Sequence, residues 1–133
     1  MKRCYKINPH KNTPLISGKL VGTGKPINVR LVFDTGAALT QFSTRIIESL
    51  GYSARDGIQE ATVSGPTGPL EVGYTLHLKE LTVLGKKFSQ PLVAAFDFDH
   101  LENANIDGLL GFDLIKEFHV EMNGPKGELV VFE

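Results

Sequence analysis

Cysteine is nearly missing from this chain, and so are long apolar runs and any excess of one charge. The lone Cys4 cannot close an intramolecular disulfide, and no second cysteine exists for a Cys-x-x-Cys metal or redox pair. That usage suits a reducing compartment. No window approaches the ~20 apolar residues a membrane span requires. The N-terminus, Met1-Lys2-Arg3-Cys4-Tyr5-Lys6, is charged with no apolar stretch behind it, so it does not read as a signal peptide. A cytoplasmic location without a membrane partner is the expectation. Lys plus Arg is 14 against 15 Asp plus Glu, a net charge of −1, which gives no electrostatic reason to expect nucleic acid. There is also no internal repeat, low-complexity tract or linker. With 133 residues, 41% of them hydrophobic and 22% charged, the expectation is one globular domain over residues 1–133.

Several cofactor motifs fail on inspection. Gly22-Thr23-Gly24-Lys25 looks like part of a phosphate loop, but Lys19 stands where the first glycine belongs and Pro26 where Ser or Thr would bind magnesium. The acidic stretch at 97–102 would need an oxygen ligand at Leu101 and glycine at Glu102 to hold calcium. His10, His77, His100 and His119 show no metal-type spacing, and no Gly-x-Ser-x-Gly elbow supplies a nucleophile. Neither a metal nor a cofactor is expected.

What the chain has is punctuation. Its 14 glycines and 7 prolines separate short pieces rich in Val, Leu, Ile and Phe, which read as strands. Leu15–Val21 and Ile27–Phe33 form a predicted hairpin, with Ile27, Val29, Leu31 and Phe33 on one face. Residues 58–64 and 70–78 predict a second hairpin with a Gly/Pro-dense tip. Strands are expected at 81–84 and 87–96, and a closing hairpin from 119–122 and Glu128–Phe132. Residues 43–50 predict a helix capped by Ser43 or Thr44 and ended by Gly51, and 112–118 a short one after Gly111. The fold class is mostly β with one or two short helices.

Val32 makes the second strand apolar on both faces just before Asp34, an unusual place for a carboxylate. Phe33-Asp34-Thr35-Gly36-Ala37 could be an ordinary Asx turn, with Gly36 supplying special dihedrals. Its company further on is Ile106-Asp107-Gly108-Leu109-Leu110-Gly111-Phe112. Together these motifs make the sequence resemble the retropepsin-like aspartic proteases, of the cellular or bacterial type with a single Asp-Thr-Gly. That family has Asp-Thr-Gly-Ala after a hydrophobic strand, a Gly-rich flap hairpin, then two apolar residues, Gly and a short helix, in the order found here.

The resemblance implies a retropepsin-like β-barrel and an aspartic endopeptidase acting on extended peptides, with Asp34 as catalytic acid/base. Thr35 would bond across to its counterpart, and Gly36 would let the backbone approach the substrate. Ala37 and Ala38, with the flap residues Gly65, Pro66, Thr67 and Gly68, would meet the substrate. Leu109, Leu110 and Gly111 would pack beneath the loop. A dyad needs two carboxylates and the chain has one such motif, so a homodimer joining two copies of Asp34 is expected. Asp107 is a lesser intrachain option, because a turn flanked by Gly108 suits a structural Asp. Retroviral members carry an Asp–Arg ion pair where this chain has Ala38 and Phe112; losing both partners orphans no charge. They also interleave terminal strands, as Tyr5-Lys6-Ile7 and Glu128–Phe132 could do here. The alternative function is a non-catalytic peptide-binding or dimerisation module of the same fold.

Overall fold

In the computed structural model, which describes residues 1–63, 71–97 and 105–133, the first predicted hairpin is in place. β2 (Leu15–Val21) pairs antiparallel with β3 (Ile27–Phe33). Val29, Leu31 and Phe33 are buried while Asn28 and Arg30 are exposed, and Val32 is half-buried, so both faces are covered as the chain nears Asp34. β4 (Gln41–Ser43) then leads into α1 (Thr44–Ser49). The Ser43 hydroxyl accepts the Ile46 N–H at 3.3 Å, and Gly51 takes a left-handed φ of 98° after the helix, as the sequence implies.

β5 (Gln59–Val63) and β6 (Glu71–His77) pair antiparallel; the predicted tip between them lies outside the described residues. β7 (Glu80–Val83) turns through Leu84 and Gly85, both at positive φ, into β8 (Lys86–Ser89). The single strand expected at 87–96 is two, β8 and β9 (Leu92–Phe96). Gln90, at φ 51°, and Pro91, which has no N–H for a ladder, break it. β10 (Gly108–Leu110) precedes α2 (Phe112–Ile115), which is shorter than the predicted 112–118. Glu117 and Phe118 donate to Leu114 and Ile115, three residues back, so the last turn tightens and the helix stops.

Among the described residues, nine strands form one sheet in the order β5-β6-β9-β4-β10-β3-β2-β7-β8. Its end strands β5 and β8 do not pair with each other, so among the described residues the sheet is open and not closed into the expected barrel. β1 (Lys2–Lys6), β12 (Glu128–Phe132) and β11 (His119–Asn123) make a second, three-stranded sheet in the order β1-β12-β11. The two terminal strands thus pair within one chain. β12 alternates, with Leu129 and Val131 in the core and Val130 and Phe132 half-buried.

The centre of the large sheet positions everything that follows. β10 sits between β3, its parallel partner, and β4, its antiparallel one, with Leu110 beside Phe33 and Gly108 beside Phe42. On one face Phe42, Val93, Ala95 and Leu110 join the main core with Leu31 and Ile47. On the other, Ala94 and Phe96 form a small apolar cluster with Leu39 and Ala61.

Candidate active site

Asp34 leaves β3 where β10 ends, and its backbone is tied there. Its N–H donates to the Leu110 carbonyl at 3.0 Å. Its side-chain Oδ1 accepts the Gly36 N–H at 2.9 Å, and its carbonyl accepts the Ala37 N–H at 3.2 Å, closing an Asx turn inside a β-turn. Gly36 is not at positive φ, so special dihedrals are not why glycine stands there. A Cβ at this position would lie 3.2 Å from Asp34 Oδ1 and press on the carboxylate.

A second set of bonds holds the loop from behind. The buried Thr40 hydroxyl accepts the Gly111 N–H at 3.0 Å and donates to Asp113 Oδ1 at 2.8 Å, which also takes the Thr40 N–H at 3.0 Å. Phe112 N–H reaches the Ala37 carbonyl at 2.7 Å. The Asp34 loop and the Gly111 turn are thereby one unit. Gly111 has no room for a side chain: a Cβ would meet the Leu39 carbonyl carbon at 2.7 Å and the Ala37 oxygen at 2.9 Å. Thr40 and Asp113 escaped the sequence reading. Asp113 gave a faint signal, as an acid in the first turn of a predicted helix; Thr40 gave none.

Half-buried Asp34 opens into a cleft of about 510 Å³ together with Gly36, Ala37, Ala38, Leu39 and Leu109. Ala61, Ala94 and Phe96 of the small cluster also line it, as do Gln41 and Thr62. Among the described residues Asp34 is the only charged group in it. Leu109 departs from the expectation that it packs beneath the loop. Strand alternation sends it into the cleft, while Leu110, fully buried, goes underneath.

Thr35 points elsewhere. It is exposed and borders a groove of about 590 Å³ with Phe33, Phe112, Phe118, Val120 and Met122. Phe112 and Met122 are each 49% exposed, and exposed Lys116 also lines the groove, so this face is open and mostly apolar. Ala38 and Phe112, which replace the retroviral ion pair, lie in the cleft and the groove respectively. Asp107 has a structural post: Oδ2 accepts the Arg30 N–H at 2.8 Å, and Oδ1 is 3.6 Å from Arg45 Nη2. Gly65, Pro66, Thr67 and Gly68 lie outside the described residues.

A family model described as aspartyl protease matches residues 17–114, from within β2 into α2. The chain belongs to the aspartyl protease family. Its fold is that of retropepsins. A retropepsin-like aspartic protease from Rickettsia conorii superposes at a TM-score of 0.72, with 17% identity, covering 98% of this chain and 89% of that one. The retroviral protease-like domain of Ddi1 from Leishmania major superposes at 0.55, with 14% identity, over 85% of this chain and 82% of that one. No curated protein matches the sequence. Among the described residues, no helix is long and apolar enough to cross a membrane.

Proposed function

We propose that this aspartyl protease family member is one half of a homodimeric endopeptidase whose dyad is Asp34 from each of two copies. The observation that carries the reading is the division of labour at the Asp34 loop. Asp34 opens into the cleft, while its neighbour Thr35 faces an exposed apolar groove suited to a second copy. Phe112 supports it, since an aromatic half-exposed beside Thr35 gains by burial against a partner.

The chemistry follows from two carboxylates held close together. Such a pair shares one proton, because like charges a few ångströms apart cannot both ionise; aspartic protease dyads are the type case of this effect. The ionised Asp34 takes a proton from water, which attacks the scissile carbonyl, while the protonated partner donates to the carbonyl oxygen. Collapse of the tetrahedral diol then breaks the C–N bond, with a proton passing to the departing amine. Thr35 of each copy bonds across the twofold and stiffens the paired loops. Ala37 and Ala38 meet the substrate backbone. The peptide binds extended, through strand-like backbone bonds.

The experiment is digestion of a mixed peptide library from acidic to neutral pH, with products read by mass spectrometry, by the native chain and by Asp34→Asn. Cleavage by the native chain, slowed at least about a hundredfold in Asp34→Asn, is the expected result. Cuts that Asp34→Asn makes at the native rate would remove this mechanism.

A further inference from the structure

Gln41 is out of keeping with its surroundings. In the sheet it lies opposite Ala94 of β9 on one flank and Leu109 of β10 on the other, and all three border the cleft. Gln41 is only 8% exposed, yet among the described residues its carboxamide has no hydrogen-bond partner. No polar side-chain atom there is sealed from solvent without a partner, so the carboxamide keeps its remaining access to water, at the cleft it lines. Its two N–H donors and its carbonyl oxygen are therefore unspent. A peptide that enters the cleft expels this water and leaves those groups unpaired unless it replaces the bonds.

The rest of the lining restricts what can replace them. Ala38, Leu39, Ala61, Ala94 and Phe96 give apolar walls, small at the three alanines, with room for a side-chain stem. Asp34 is the only charge among the described lining residues, and the reaction engages it, so a charged side chain would be desolvated without a counter-ion. An aliphatic side chain would fit the walls but strand the Gln41 amide. A neutral side chain with an aliphatic stem and a carboxamide end meets both conditions, exchanging two reciprocal N–H···O=C bonds with Gln41. We propose that Gln41 determines specificity, and that the subsite beside Asp34 selects a substrate glutamine. This deepens the endopeptidase reading of the cleft and rests on it.

The test uses octapeptides in which each position in turn carries Gln, its near-isostere Met, or Lys. Cleavage is followed with the native chain as kcat/KM, and affinity with Asp34→Asn, which reads the subsite even without turnover. At one position Gln should exceed Met by about ten- to a hundredfold in both readouts. Gln41→Met should abolish or invert that preference. Gln41→Glu, which exchanges the donors for a negative charge, should move it toward Lys, a change that a merely structural residue would not produce. If Gln41→Met fails to fold, the ranking by the native chain and the shift in Gln41→Glu still decide. Met equal to or above Gln at every position, or a Gln preference that survives Gln41→Met, overturns the assignment. Cleavage without a Gln preference sinks this proposal alone. A Gln preference in binding with no cleavage of any peptide sinks the hydrolytic reading alone, and neither binding nor cleavage sinks both.

Discussion

Asparagine at position 34 keeps an Oδ1 able to accept the Gly36 N–H, but it cannot take a proton from water. Asp34→Asn should therefore separate chemistry from folding. Peptide cleavage should fall by about 10²- to 10⁴-fold while the urea midpoint stays where it was. Thr40 makes the opposite prediction. Valine has nearly the same shape but neither accepts the buried Gly111 N–H nor donates to Asp113. Thr40→Val should cost about 1–3 kcal/mol in urea unfolding and weaken activity through the loosened Asp34 loop. The two residues are unequally legible in the sequence. Asp34 announces itself, as a carboxylate ending an apolar strand. Thr40 and Gln41 are ordinary residues whose meaning comes from partners some 70 positions away, on the turn after β10 and on β10 itself. Only tertiary pairing reveals them.

Among the elements, the turn between β10 and α2 carries the sharpest constraint. A methyl group at Gly111 would run into the backbone of Leu39 and Ala37, which cannot yield as a side-chain tip does. Gly111→Ala should destabilise by about 1–3 kcal/mol, read as a lowered unfolding midpoint. Both strands of the first hairpin, the Ser43-capped helix and the closing hairpin are legible because their signals are local: alternation, caps and turn residues. β4 is not. With three residues, paired in parallel to the distant β9, it has no periodicity of its own. The division of β8 from β9 has one local signal, Pro91, but the positive φ of Gln90 that completes the break has none, so 87–96 reads as a single strand. β1 has the sequence of a strand that a partner could take, yet it pairs with β12 of its own chain from Lys2 to Lys6. A second copy need not trade strands for either subunit to complete this sheet.

For the whole molecule, the described residues of one copy supply one cleft carboxylate and an open, mostly apolar face. Phe112 projects from that face, half-exposed and outside the main core. Phe112→Glu should leave the unfolding free energy of the subunit within about 0.5 kcal/mol of the native value. In sedimentation it should raise the dimer dissociation constant at least about tenfold, by placing a charge in the surface that the proposed dimer buries. The modest net charge of −1 means that two copies meet without a large repulsive field. Everything proposed for the reaction depends on two copies of Asp34, one per subunit, making a single catalytic site. Co-refolding native and Asp34→Asn chains in varying ratio, at fixed total concentration, puts that dependence into a peptide-cleavage rate. A shared dyad gives activity that follows the square of the native fraction, about a quarter at equal mixing, because mixed dimers are dead. Activity that falls in simple proportion to the native fraction would mean that each chain works alone, and the shared dyad would have to be abandoned.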